Sequence, residues 1–270
     1  MVSAEGGKPP AENLVKDVVA AVLAGGLGTR LRPVVSDRPK VLAAVHGRPF
    51  LSYVLDQLAA AGVLRVVLCT GYLGEQVHRV FGSRWGAMEL IYSRETAPLG
   101  TGGALRKALP HLSSNPVLVM NGDAFCGIQL ADFYAWHCRR GARATLAIVQ
   151  ASDAARYGRV QVDATGEVVR FAEKCAGPNV AWINAGIYLL DRSIIENVST
   201  GYKVSLEREV FPRWIGKGFY GYSCEGGFLD IGTPQSYVDA KKFFASEGPG
   251  RIPSSAMPLK KSTPDSPSLN

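Results

Sequence analysis

Residues 18–40 read VVAAVLAGGLGTRLRPVVSDRPK. The apolar, β-branched run at 18–23 has the composition of a buried strand. It stops at Gly25-Gly26-Leu27-Gly28-Thr29, where glycines admit positive φ and let another group come close. Arg30, Arg32, Arg38 and Lys40 follow. A glycine turn behind a buried strand, with cations after it, suits a phosphate chain: backbone N–H groups donate and the cations neutralise. Read this way, the loop holds a nucleoside triphosphate. Two common phosphate motifs do not fit. GxxxxGK[ST] is absent, and Leu31 stands where GxGxxG needs its third glycine. GGLG alone would serve equally as a flexible turn with solvated arginines; the ordered string GGxGTRLxP…PK is far more specific.

Outward from this stretch, strand and helix patterns alternate. Leu51, Val54, Leu55 and Leu58 predict a helix over 49–61, with Gly62 as its stop. A strand is expected at 65–70, a short helix at 73–81 and a strand at 88–93. The glycine stretch Pro98-Leu99-Gly100-Thr101-Gly102-Gly103-Ala104 precedes a helix to about residue 109. A strand at 117–120 ends in Asn121-Gly122-Asp123; a helix at 130–140 and a strand at 142–150 follow. The alternation implies an α/β fold, a mainly parallel sheet covered on both faces. The chain then turns strand-rich: a hairpin of 158–163 and 167–172, a strand at 184–190, a Ser205-capped turn of helix to 211, and a strand at 219–224. Asp230-Ile231-Gly232-Thr233-Pro234 leads into a last helix at 235–244. Residues 1–16 are expected to be a disordered arm, 17–245 one domain, and 246–270, rich in Pro, Ser and Lys, a disordered tail.

With 270 residues, 47% hydrophobic and 20% charged, the chain can bury one sizeable core. No apolar stretch approaches the ~18 residues of a membrane span, and the N-terminus has no apolar signal region. A cytoplasmic protein with no membrane partner is expected. The net charge of +7 suits nucleic acid or small anions. No Lys/Arg run with interleaved aromatics appears, so small phosphates are favoured and nucleic acid is not expected. The cysteines, Cys69, Cys126, Cys138, Cys175 and Cys224, form no CxxC pair and are expected to be reduced and structural. No HxxxH pair suggests zinc.

In open α/β sheets, ligands bind beyond the C-terminal ends of the strands. GGLGTR, LGTGG and NGD all fall there. Alone, Asp123 reads as a turn or cap residue. Asp230 is a second carboxylate at a strand end, and two carboxylates meeting near a triphosphate make a Mg²⁺ site. The ordered set AGGLGTRLRP…RPK, PLGTGGA, NGD, EK, NAGIYLL and DIGTP resembles the sugar-1-phosphate nucleotidylyltransferase family over about residues 18–244. Within it, PLGTGGA, DAARYGRVQVD, INAGIYLL and SLEREVFP are most similar to the D-glycero-α-D-manno-heptose 1-phosphate guanylyltransferases. Mannose-1-phosphate guanylyltransferases share several of these motifs. They often add a C-terminal β-helix, for which no hexapeptide repeat is seen here.

The resemblance implies a Rossmann-like mixed, mainly parallel sheet of the nucleotide-diphospho-sugar transferase type, plus a β-rich sugar-binding part. It implies transfer of a nucleoside monophosphate from an NTP, here GTP, to a sugar 1-phosphate, here the heptose, with release of pyrophosphate. Mannose 1-phosphate, or glucose 1-phosphate with UTP or dTTP, are the alternatives within the family. A non-catalytic sugar-nucleotide-binding regulatory paralogue is the alternative of another class. The family also admits homo-oligomers. By position, Leu23, Ala24, Gly25, Gly26, Gly28, Thr29 and Arg30 take the nucleotide, with Pro98, Leu99, Gly102 and Gly103 near its base. Arg30 stabilises the β/γ-phosphates and Lys40 the α-phosphate. Asp123 and Asp230 hold Mg²⁺. Tyr157, Gly158, Glu173 and Asn184 contact the sugar, and Lys174 its phosphate. Val41 and Ala124 depart from the family's usual Pro and polar residue.

Overall fold

In the computed structural model, which describes residues 15–151, 154–173 and 180–245, the run VAAVLA forms strand β1 (Val19–Ala24). After the glycine loop and a 3-10 turn at Lys40–Leu42, the short strands β2 (Ala44–Val45) and β3 (Arg48–Pro49) lead to α1 (Phe50–Ala60). Then come β4 (Arg65–Thr70), α2 (Gly74–Phe81), β5 (Arg84–Trp85), β6 (Met88–Arg94), α3 (Gly100–Ala108), β7 (Val117–Asn121), β8 (Ala124–Cys126), α4 (Leu130–Arg140) and β9 (Ala144–Ala151). The strand-rich remainder comprises β10 (Gly158–Val162), β11 (Val168–Glu173), β12 (Ala181–Leu190), α5 (Arg192–Glu196), β13 (Phe219–Ser223), β14 (Phe228–Asp230) and α6 (Pro234–Ala245).

β1 runs parallel to β4 on one side and β7 on the other. The large sheet has the order β11-β10-β12-β7-β1-β4-β6-β5, and β9 joins it between β12 and β13. The centre is parallel; β12 is antiparallel to both β7 and β9. Alternate residues of β1 enter different cores, as the period of a strand requires. Ala20, Val22 and Ala24 pack with Phe50, Val54, Leu58, Phe133 and Phe244. Val19 and Ala21 pack with Leu105, Ala108, Ile194 and Phe211. Helices therefore cover both faces, and the mixed, mainly parallel sheet is as expected. Among the described residues no helix is long and apolar enough to cross a membrane.

Four details differ from the expectation. α3 starts at Gly100, so the second glycine stretch is the first turn of a helix and not a loop before it. β12 starts at Ala181, because it pairs with β9 from Ala181↔Ala151 across an irregularity between Asn184 and Tyr188. β8 is too short to show periodicity; it exists because β14 pairs with it. Val15, placed in the arm, is only 2% exposed and packs with the core. The rest of the expected arm, residues 1–14, and the tail, 246–270, lie outside the described residues.

His137 of α4 is buried, and its Nδ1 lies 2.8 Å from Thr145 Oγ1. Burial brings its pKa down from 6.5 to about 4. The folded state thus holds the ring neutral, so its contribution is complete above about pH 6.5 and lost as pH falls toward 4. Urea midpoints should drop over this window by an amount worth at most about 3 kcal/mol. The drop should be smaller in His137→Gln.

Candidate active site

β1, β4 and β7 end side by side, and their loops share one edge of the sheet. Gly122 donates its N–H to Leu23 O at 2.9 Å, which ties the NGD turn to the strand under the glycine loop. Ala24 pairs with Thr70, and Gly25 packs between the end of β4 and Glu95. A Cβ on Gly25 would lie 3.3 Å from Gly71 N. Gly26 is different: it is exposed, with nothing within 4 Å of where its Cβ would be. Gly28 has φ +60 beside Lys40, which turns the chain back toward the sheet. Thr29 and Arg30 are exposed at the tip.

Lys40, on the turn after the loop, makes an ion pair with Asp123. Its side chain is only 14% exposed, so the charge is well shielded. Asp230 reaches the same place through β14, whose antiparallel register sets Asp230 opposite Ala124. Ile231 N–H donates to Asp123 O at 3.0 Å. Arg30 lies over the turn that follows, its Nη2 3.4 Å from where a Cβ on Gly232 would be. Arg30, Lys40, Asp123 and Asp230 are thus gathered at one edge from three separate stretches of the chain.

Asp230 is held by donors on both oxygens. Tyr157 Oη donates to Oδ1 at 2.6 Å, and Gly232 N–H donates to Oδ2 at 2.9 Å. Arg156 Nη2 is 3.4 Å from Oδ1. Tyr157, expected at the sugar, thus holds the carboxylate through its hydroxyl, and Arg156 is a participant that sequence reasoning missed. Gly158 opens β10 opposite Glu173 of β11. Lys174 lies outside the described residues. Asn184 donates Nδ2–H to Tyr188 Oη at 2.8 Å and accepts Gly186 N–H at 2.9 Å, which shapes the β12 irregularity. Arg159, beside Gly158, is 8% exposed, and its Nε and Nη1 have no hydrogen-bond partner among the described residues.

The second glycine stretch has a packing duty. Gly102 and Gly103 both donate to Val204 O, at 2.9 and 3.2 Å, and both are buried. Leu99 accepts from Val204 N–H at 2.8 Å and donates to Glu95 Oε2 at 3.0 Å. Pro98 is exposed at the rim. Glu95, also missed from sequence, places Oε1 3.5 Å from the Gly25 Cβ position, between the two glycine stretches. Burial raises its pKa, opposed by the Leu99 N–H and the charge of Lys107.

Among the described residues no three His, Cys, Asp or Glu side chains cluster for a metal. Asp123 and Asp230 are the carboxylates at this edge that could take Mg²⁺, which needs few protein carboxylates and completes its shell with phosphate oxygens and water.

The nucleotidyl transferase family model matches residues 19–247. The chain belongs to that family. It is 38% identical over 225 residues to a mannose-1-phosphate guanylyltransferase of Mycobacterium tuberculosis, covering 82% of this chain but 63% of that enzyme. It is 37% identical over 224 residues to the D-glycero-α-D-manno-heptose 1-phosphate guanylyltransferase of Aneurinibacillus thermoaerophilus, covering 83% of this chain and 96% of that one. Among solved structures, HddC from Yersinia pseudotuberculosis superposes with a TM-score of 0.75 at 30% identity, over 84% of this chain and 99% of that one. The same protein complexed with GMP-PN gives 0.72 over the same shares.

The two kinds of glycine should separate by substitution. A Cβ on Gly103 would sit 2.6 Å from Tyr202 O, so Gly103→Ala should lose about 1–3 kcal/mol in urea unfolding. Gly26→Ala should stay within about 0.5 kcal/mol of the parent.

Proposed function

We propose that this chain transfers GMP from GTP to a sugar 1-phosphate, giving a GDP-sugar and pyrophosphate. The observation that carries the reading is the gathering of Arg30, Lys40, Asp123 and Asp230 at the edge where the exposed Gly26 leaves room for phosphates. Likeness to guanylyltransferases supports it.

A sugar phosphate oxygen attacks the α-phosphorus, and the bond to the bridging oxygen of pyrophosphate breaks. Little proton transfer is needed; alignment and charge stabilisation dominate. Lys40 neutralises charge at the α-phosphate, and Arg30 steadies the leaving pyrophosphate. Asp123 and Asp230 would hold Mg²⁺, which when bound supplies further neutralisation of the phosphates. Gly158, Glu173 and Asn184 border the sugar, and Lys174 with Arg159 would receive its phosphate. A buried guanidinium with open donors is costly unless an anion meets it, which favours a phosphate on that side.

The preference for guanine rests on Glu95. Guanine offers two parallel donors, N1–H and N2–H, which a carboxylate accepts together; no other common base presents that pair. Glu95 spans the loop at Gly25 and the turn at Leu99, where the base is expected. The proposed sugar is D-glycero-α-D-manno-heptose 1-phosphate, on the motif likeness of RYGRV and SLEREVFP. Mannose 1-phosphate is the second reading, because the mannose-1-phosphate and heptose 1-phosphate guanylyltransferases match this chain about equally, at 38% and 37% identity.

The test is pyrophosphate release across four NTPs and a panel of sugar 1-phosphates with Mg²⁺. Release is expected with GTP and the heptose or mannose phosphate; silence across the panel would overturn the proposal. Asp123→Ala should fold and lose turnover by several kcal/mol of barrier. Glu95→Gln should lower kcat/KM for GTP about 10–100-fold, the worth of hydrogen bonds to a charged group. Values for ATP and UTP should fall much less.

A further inference from the structure

Two thiols stand where the small β8–β14 sheet meets the large one. Cys126 ends β8 and is fully buried; Cys224, just past β13, is 9% exposed. Cys224 N–H still donates to Ile148 O of the large sheet, at 2.8 Å. Gly127 N–H donates to Gly227 O at 2.9 Å, so the backbone beside both cysteines is held in register. Cys126 Sγ donates to Cys224 Sγ at 3.4 Å. That bond, with a further one from Gly226 N–H, brings the Cys224 thiol down to about 7, while Cys126 is raised. The more exposed sulfur is thus the better nucleophile. Cys69 is buried elsewhere and pushed up to about 12, and Cys138 is exposed on α4.

We propose that Cys126 and Cys224 form a reversible redox pair that closes to a disulfide in the presence of hydrogen peroxide and slows turnover. The Cys224 thiolate attacks one peroxide oxygen; an S–O bond forms, the O–O bond breaks, and the released hydroxide takes a proton to become water. Cys126 sulfur then attacks the Cys224 sulfenic acid; the S–S bond forms, the S–O bond breaks, and the second water leaves with the Cys126 proton. Two thiols lose two electrons and the peroxide gains them.

A disulfide needs its sulfurs about 2 Å apart, so the pair must close from 3.4 Å. Cys126 lies two residues past Ala124, the partner of Asp230, on the strand that follows Asp123. Pulling it toward Cys224 shifts the sheet that sets both carboxylates, and displacements near 1 Å are costly in such sites. The effect on turnover rests on the proposed reaction; the cross-link itself does not.

The test treats the full-length protein with hydrogen peroxide at neutral pH. Peptides are then mapped without reductant, and pyrophosphate release is measured before and after dithiothreitol. A peptide pair joined through Cys126 and Cys224, an at least fivefold loss of turnover and recovery on reduction are expected. Cys224→Ser, with Cys224→Ala as a second variant, should keep the untreated rate and ignore peroxide. Absence of the joined pair overturns the proposal, as does a joined pair with unchanged turnover. A protein that forms the joined pair but never releases pyrophosphate supports the redox pair and refutes the proposed reaction.

Discussion

The backbone ladder that holds β1 between two parallel neighbours governs the rest of the molecule. Parallel pairing with β4 and β7 makes all three strands end at the same edge. The glycine loop, the Thr70–Gly71 corner and the NGD turn must then lie side by side. Their packing leaves little slack: Gly25 and Gly71 approach so closely that a Cβ on Gly71 would sit 2.8 Å from Gly25 O. The close fit holds the base of the loop, while Gly26 stays open above it.

The second constraint is electrostatic. Two carboxylates converge at this edge, and neither is left without a counter-charge or donor. Lys40 balances Asp123; Tyr157, Arg156 and the Gly232 amide hold Asp230. Breaking one member of such a shielded pair is costly, because the remaining charge must be solvated in place. Tyr157 and Arg156 also precede β10, so the carboxylate clamp is built on the hairpin proposed to border the sugar. The two halves of the site are thereby linked through one side chain.

Glycine serves two purposes on the same edge. Gly26 leaves open space for a ligand, whereas Gly102 and Gly103 let the 202–204 segment lie against the helix. Both look alike in sequence, since each is a glycine in a cluster after a strand. What divides them is which backbone arrives opposite, and that is set by long-range packing.

The amino-acid sequence by itself determined most strands and helices, because their periodicities are local: β4 and α4 fall on residues 65–70 and 130–140 as expected. It also put Asp123 and Asp230 at strand ends and Arg30 and Lys40 behind the glycine loop, because glycine and turn residues mark those places. Only the tertiary structure decided that β8 exists, that Tyr157 and Arg156 hold Asp230, that Glu95 joins the two glycine stretches, and that Cys126 meets Cys224. A strand of three residues carries no readable period, and its hydrogen bonds come from a partner far along the chain. Such contacts are chosen when the sheet and its covering helices close on one another, and no local pattern records them.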